Sequence, residues 1–159
     1  GGFAFSSVTG ETLRIAAELL DCGVQGHKIT EYFMQDISPA VYALKTRVLA
    51  RTEFFEGGRI GMITFNASDF AASGTALSDT TGIINDVRNV EGVDVAVAVT
   101  EAALREYKVS IRTDEKADAN RIAAVFGGGG HNRAAGCRVF GEYEEVKERV
   151  LKACRDHLE

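Results

Sequence analysis

The run "VDVAVAVTE", Val93 to Glu101, narrows the possible folds more than any other part of the chain. It is rich in β-branched residues and nearly continuously apolar, the pattern of a strand buried in the middle of a sheet. Close behind it "YKVSIRT" alternates, with Tyr107, Val109 and Ile111 facing one way and Lys108, Ser110 and Arg112 the other. "RIGMITFN" follows the turn-like pair Gly57-Gly58 and is too short an apolar run for a helix; "GCRVF", after the glycines near the end, is also strand-like. Helical patterns fill the gaps: Ala67 to Ala72, Thr81 to Val90 with Ile83, Ile84 and Val87, and Ala117 to Phe126 with Ile122, Val125 and Phe126. A terminal helix from Glu144 to about His157 carries Val146, Val150, Leu151 and Cys154. Together these predict an α/β domain with a mixed sheet.

The first third reads as helices. In "TGETLRIAAELLDCG" Leu13, Ala16, Ala17 and Leu20 keep helical spacing, Thr9 is placed to cap the start, and Gly23 can take the left-handed position past the end. "QGHKITEYFMQDI" sets Ile29, Phe33 and Met34 on one side. Ser38 and Pro39 then form the cap and first position of a further helix, whose stripe continues through Leu44, Val48 and Leu49. A helical hairpin or small helical subdomain over Thr9 to Phe55 follows. The period changes between Glu56 and Arg59, which divides the chain into residues 1–56 and 57–159.

With 159 residues, 45% of them hydrophobic, the chain can bury one substantial core or two small ones. No apolar run approaches the roughly 20 residues of a membrane span, and no signal segment opens the sequence, so the expected compartment is the cytosol. The net charge of −5 argues against a broad, sequence-blind duplex binder, though not against a small phosphate pocket. Cys22, Cys137 and Cys154 stand in no C-x-x-C pair and are expected as buried reduced thiols. Leu158-Glu159 reads as vector-derived and is assigned no function.

One stretch asks for a special explanation. "FGGGGHNRAAG", Phe126 to Gly136, places four consecutive glycines before one of three histidines, although each glycine costs up to about 1 kcal/mol of order relative to alanine. Such a run can adopt positive φ and expose consecutive N–H groups as a nest for an anion, with phosphate the obvious candidate. His131 adds a donor whose charge responds near neutral pH, and Arg133 and Arg112 supply fork-shaped donors suited to phosphate oxygens. The residues alone leave a plain flexible loop equally open. A dinucleotide fingerprint is excluded, because the glycines follow a helical pattern and precede a strand.

"FGGGGHNRAAG", with "YKVSIRT" and a helix ahead of it, resembles the signature of the DHHA family 1 domain at the C-terminus of DHH phosphoesterases. "GGFAFSSVTGETLRIAAELLDCGV" is similar to the segment that ends the catalytic DHH domain and begins the linker in the oligoribonuclease and pAp-phosphatase branch. The resemblance implies that residues 1–56 are the end of the DHH domain and its linker, and residues 57–159 the substrate-binding domain. It further implies a parent enzyme that hydrolyses short oligoribonucleotides, 3'-phosphoadenosine 5'-phosphate (pAp) or both, and that dimerises through the other domain. Two metal ions, typically manganese, would be held by N-terminal aspartates of that family, whose motifs do not occur in this sequence, and would activate a water for in-line displacement at phosphorus. This chain by itself is therefore expected to be folded and inert.

By the same resemblance Arg112 and the loop Gly127, Gly128, Gly129, Gly130 and His131 bind substrate phosphate or sugar, His131 foremost. Arg133 lies between His131 and Ala134, Asn85 sits on the helix before the central strand where it could orient substrate, and Ser110 shares the face of Arg112. Neither a catalytic group nor a metal ligand is expected in this chain. His27, His157, Asp79 and Asp86 read as surface groups. Three readings stay open beside the oligoribonuclease: a nucleic-acid-binding module without chemistry like the C-terminal domain of alanyl-tRNA synthetase, a RecJ-like exonuclease, and a cyclic-dinucleotide phosphodiesterase.

Overall fold

The computed structural model describes residue 3, residues 8–35 and residues 37–158. Residues 1, 2 and 4–7, on which part of the resemblance rests, the Met34 side chain and Glu159 lie outside the described residues. The chain forms two compact units, residues 1–38 and 39–159. In the first, α1 (Gly10–Asp21) starts from a Thr9 cap, whose Oγ1 accepts from the Thr12 N–H at 3.3 Å, and the chain leaves it through Gly23 at φ +93°. Then come α2 (Gly26–Thr30) and one π-helical stretch, Glu31–Gln35. Cys22 caps the C-terminal end of α1 and is exposed, against the expectation of a buried thiol.

The second unit runs α3 (Pro39–Leu49), β1 (Glu53–Phe55), β2 (Ile60–Phe65), α4 (Ala67–Ser73), α5 (Ile84–Arg88), β3 (Val95–Ala103), β4 (Glu106–Thr113), α6 (Ala119–Ala124), β5 (Gly129–His131), β6 (Ala134–Phe140) and α7 (Tyr143–Arg155). The strands make one six-stranded sheet in the order β1-β2-β3-β4-β6-β5. Only β2 and β3 run parallel, so the sheet is mixed and the α/β expectation is borne out.

Both faces of β3 are covered, as its composition demands. Val95, Val97 and Val99 join Ile60, Met62, Val109 and Ile111 under α6 and α7, against Ile122, Val146, Val150 and Leu151. Ala96 and Ala98 join Ile63 and Phe65 on the opposite face, under Leu44 and Val48 of α3 and Ile84 and Val87 of α5. The small alanines let α5 approach closely. At Gly61 a Cβ would come 2.5 Å from Val87 Cγ1, so the helix rests directly on the strand backbone. Past β3, where α5 also comes up to β4, this second face is bare among the described residues: along β4 and β6 the buried residues all point toward α6 and α7, and those between them are half-buried or exposed.

Several boundaries differ from the sequence reading. Glu53–Phe55 pairs with β2 as a strand rather than ending a helix, and the compact unit begins at Pro39, because α3 buries Leu44 and Val48 in the sheet's core. Gly82 at φ +88° bars a helix from Thr81, leaving a 3-10 turn at Leu77–Thr80 and the short α5. Leu158 packs against the α6–α7 core and bridges to Ala117, so it has a structural place despite its terminal position. Two acids that no motif singles out are buried. Asp69 accepts from Arg47 at 2.8 Å and Arg51 at 2.6 Å, and Asp94 from Arg59 at 2.5 Å and Lys116 at 3.2 Å. Among the described residues, no helix is long and apolar enough to cross a membrane.

Candidate functional site

The four glycines are not equivalent. As α6 ends, the N–H groups of Gly127 and Gly128 donate to Ala124 O and Ala123 O, both at 3.0 Å, and Gly127 turns the chain out at φ +70°. Gly128 lies flat on β6, where a Cβ would sit 2.5 Å from the Cys137 Cβ and 2.8 Å from its Cα. Gly130, at φ +154°, has no room either, since a Cβ there would meet Ala134 O at 2.5 Å. Gly129 pairs with Gly136 in the β5–β6 ladder, and the Gly130 N–H donates to Asn120 Oδ1 at 2.9 Å. The backbone-nest expectation is therefore corrected: the glycines turn and pack the chain, and their N–H groups are engaged within the fold rather than presented as a free row of donors.

What the glycines accomplish is to seat an edge strand that ends in His131. The turn Asn132-Arg133 that follows is pinned from below: Asn132 O accepts from the Ala119 N–H at 2.8 Å and from Thr113 Oγ1 at 2.9 Å, and Arg133 O from the Thr113 N–H at 3.2 Å. Thr113 is buried, so these bonds are shielded from water. His131 Nδ1 accepts from the Arg133 N–H at 3.3 Å, which in a neutral ring leaves the proton on Nε2 as an exposed donor.

Sheet register carries the arrangement further. His131 pairs with Ala134, Ala134 with Arg112, and Arg112 with the buried Ala96, so His131, Ala134 and Arg112 form one row across the bare face, which ends where Ala96 enters the core. His131 and Arg112 stand two strands apart, about 10 Å between backbones. The next row is Gly129, Gly136 and Ser110, a floor of small residues that stops at the buried Ala98. Arg112 is half-buried and donates from Nη1 to Ile111 O at 2.9 Å; among the described residues no carboxylate lies within ion-pair distance of it.

Not every expected residue comes to this row. Asn85 is exposed on α5, whose Val87 packs on Gly61 next to Ala96, and its side chain has no hydrogen bond among the described residues. Arg133 turns elsewhere: its guanidinium is 3.9 Å from Glu115 and lines, with Lys116, Arg121, Asp156 and His157, a cleft of about 380 Å³. A larger cleft of about 560 Å³ lies at the far end of β2, between Arg51, Thr64, Glu101 and Tyr143, and holds none of the expected residues. Asn120 and Thr113, which fix the His131 strand, escaped the sequence reading, because neither belongs to the glycine motif. Among the described residues no three histidine, cysteine, aspartate or glutamate side chains gather where a metal ion could be held, so these residues do not fit a metal centre.

The glycine-led hairpin, its histidine and the adjoining "S-x-R" strand fall within a stretch, residues 67–159, that matches the DHHA1 domain model. The chain belongs to the DHHA1 family. The resemblance read from the motifs is thus borne out. Over 159 residues this DHHA1 chain is 36% identical to the bifunctional oligoribonuclease and PAP phosphatase NrnA of Thermus thermophilus, covering 99% of the chain and 47% of that protein. It is 23% identical over 155 residues to an A-adding tRNA nucleotidyltransferase of Aquifex aeolicus, covering 96% of the chain and 18% of the enzyme. Among solved structures, an exopolyphosphatase-related protein from Bacteroides fragilis superimposes with a TM-score of 0.91 at 25% identity, covering 98% of this chain and 46% of that one. The DHHA1 chain thus spans less than half the length of each of these relatives.

Proposed function

We propose that this chain is the substrate-binding region of a metal-dependent DHH-type phosphoesterase that hydrolyses short oligoribonucleotides, pAp or both. The observation that carries the reading is the row formed by His131 and Arg112: an exposed imidazole donor and a guanidinium without a carboxylate partner among the described residues, facing the same way over a floor of alanine, serine and glycine. A cation held beside small residues suits a phosphate group, whose oxygens it can bind in bidentate fashion while a sugar or base lies on the floor. The likeness to the Thermus oligoribonuclease and PAP phosphatase supports the choice of substrate class. Gly127 to Gly130 serve by placing His131, and Asn85 stands off the row, exposed on α5. The metal-binding aspartates, the manganese they would hold and the dimer contact belong, on this reading, to the remainder of a cytosolic parent enzyme.

The test is titration of this chain with pAp and with a 5'-phosphorylated ribodinucleotide, beside His131→Ala and Arg112→Ala. Saturable binding that both variants weaken at least tenfold is expected; undiminished binding in both removes the row from the substrate site. No turnover by this chain is expected with manganese present, and turnover would place the chemistry here. A second reading, a nucleic-acid-binding module without chemistry, draws on the match to the tRNA nucleotidyltransferase. It calls for tRNA to bind more tightly than pAp.

A further inference from the structure

The bare face of β4 and β6 does not end with the His131–Arg112 row. Two residues further along each strand come Ser110 and Gly136, and two further again Lys108 and Arg138, which pair directly across the ladder. Both are exposed. Like charges set opposite one another on a sheet weaken it, so the pair is not explained by the fold. Arg138 is paired with Glu106 on the neighbouring strand, whereas Lys108 has no carboxylate within ion-pair distance among the described residues. That leaves a net positive end to the face. Between it and Arg112 the surface residues are Ser110, Gly136 and Ala134, so no large side chain interrupts the path.

Resting on the reading of His131 and Arg112 given above, we propose that Lys108 and Arg138 form a second phosphate subsite, which holds a downstream phosphodiester of a single-stranded oligonucleotide whose first phosphate lies at Arg112. Lys108 and Arg112 lie four residue steps apart along the strand, about 14 Å between backbones. At the about 3.4 Å per-strand rise of a stacked helix this is about four nucleotides, and fewer in an extended strand. A mononucleotide bisphosphate at Arg112 cannot reach the pair, while a tetranucleotide can. The subsite therefore discriminates by length.

The experiment measures binding of pAp and of a 5'-phosphorylated ribotetranucleotide to this chain and to Lys108→Ala and Arg138→Ala, at several salt concentrations. Each substitution is expected to weaken the tetranucleotide about fivefold, the upper range for an exposed ion pair, and to leave pAp unchanged. The dependence of log K on log salt for the tetranucleotide should become shallower by about 0.7 per charge removed. Both side chains are exposed, so the variants keep the fold, which circular dichroism checks. Unchanged tetranucleotide affinity overturns the subsite while the function proposed for the His131–Arg112 row stands. Equal weakening of pAp and tetranucleotide also overturns it, because the pair would then act only through its general field. Failure of the unsubstituted chain to bind either ligand overturns the subsite and the row together.

Discussion

Substituting the four glycines one at a time with alanine separates their roles. At Gly128 the new Cβ would stand 2.5 Å from the Cys137 Cβ, where carbon atoms settle at about 3.5–4.0 Å. The nearest neighbours also include the Cys137 Cα and Gly136 O, which cannot rotate away, so β5 and β6 must part by about 1 Å. Overpacking of this kind costs about 1–3 kcal/mol. Gly130→Ala meets Ala134 O at 2.5 Å and also holds φ at +154°, and belongs at the upper end, about 3 kcal/mol. Gly127 has open space but φ +70°, so alanine there costs about 1–2 kcal/mol from the left-handed conformation alone. Gly129 has neither constraint, its closest neighbour being Asn120 Oδ1 at 3.4 Å, and alanine should be neutral or gain about 0.4–1 kcal/mol from the unfolded state. Urea unfolding followed by far-ultraviolet circular dichroism reads the order directly; with a slope of about 2 kcal/mol per molar, a 2 kcal/mol loss lowers the midpoint by about 1 M. Midpoints unchanged in Gly128→Ala and Gly130→Ala, or Gly129→Ala as the most damaging of the four, would refute the packing account and restore a purely ligand-binding reason for the run.

The buried acids set the acid limit of stability. Burial works to raise the Asp69 and Asp94 carboxyls, but hydrogen bonds from Arg51, the Asn66 N–H and Arg47 on one, and from Arg59 and Lys116 on the other, outweigh it and hold both below the ordinary 3.8. Their contribution is therefore complete above about pH 4 and is lost as pH falls through the depressed values; Asp69→Asn, costing about 1–3 kcal/mol at pH 7, should flatten the acid limb of a stability–pH curve. Burial pushes the Cys137 thiol up to about 11 and the Cys154 thiol up to about 12. At pH 8 a maleimide should label exposed Cys22 within minutes and the other two only on unfolding, as peptide mapping would reveal. Proton-coupled nitrogen-15 spectra of neutral His131 should place the proton on Nε2, and an Nδ1-protonated ring would contradict the Arg133 N–H contact.

The legible part of the fold was the part in which side chains repeat. Val95, Val97 and Val99 on one face of β3 and the alternation of β4 announced two strands, and with them the covered and the bare side on which Arg112 stands. The four glycines of Gly127 to Gly130 carry no periodicity, so β5 was hidden inside what reads as a loop, and with it the fact that their N–H groups are already engaged. Glu53–Phe55 was hidden for the opposite reason: three residues ending in two phenylalanines continue a helical stripe as readily as they start a strand. Of the site, His131 and Arg112 could be named from the motif, but their alignment in one row depends on the strand order β4-β6-β5, which places β6 between two strands and cannot be seen in a linear sequence. Arg133 looked equivalent to its neighbours by type, and the turn sends it toward Glu115 instead.

The Asn120–Gly130 hydrogen bond has one more effect. The sheet's two outer strands, β1 and β5, are each three residues long, and on β5 the Gly130 amide hydrogen that an incoming strand would seek is already held by a side chain of the same molecule. Open sheet margins invite other chains to add themselves, and short, occupied margins deny them purchase. The asparagine that steadies the histidine strand thus also keeps neighbouring copies from stitching themselves edge to edge.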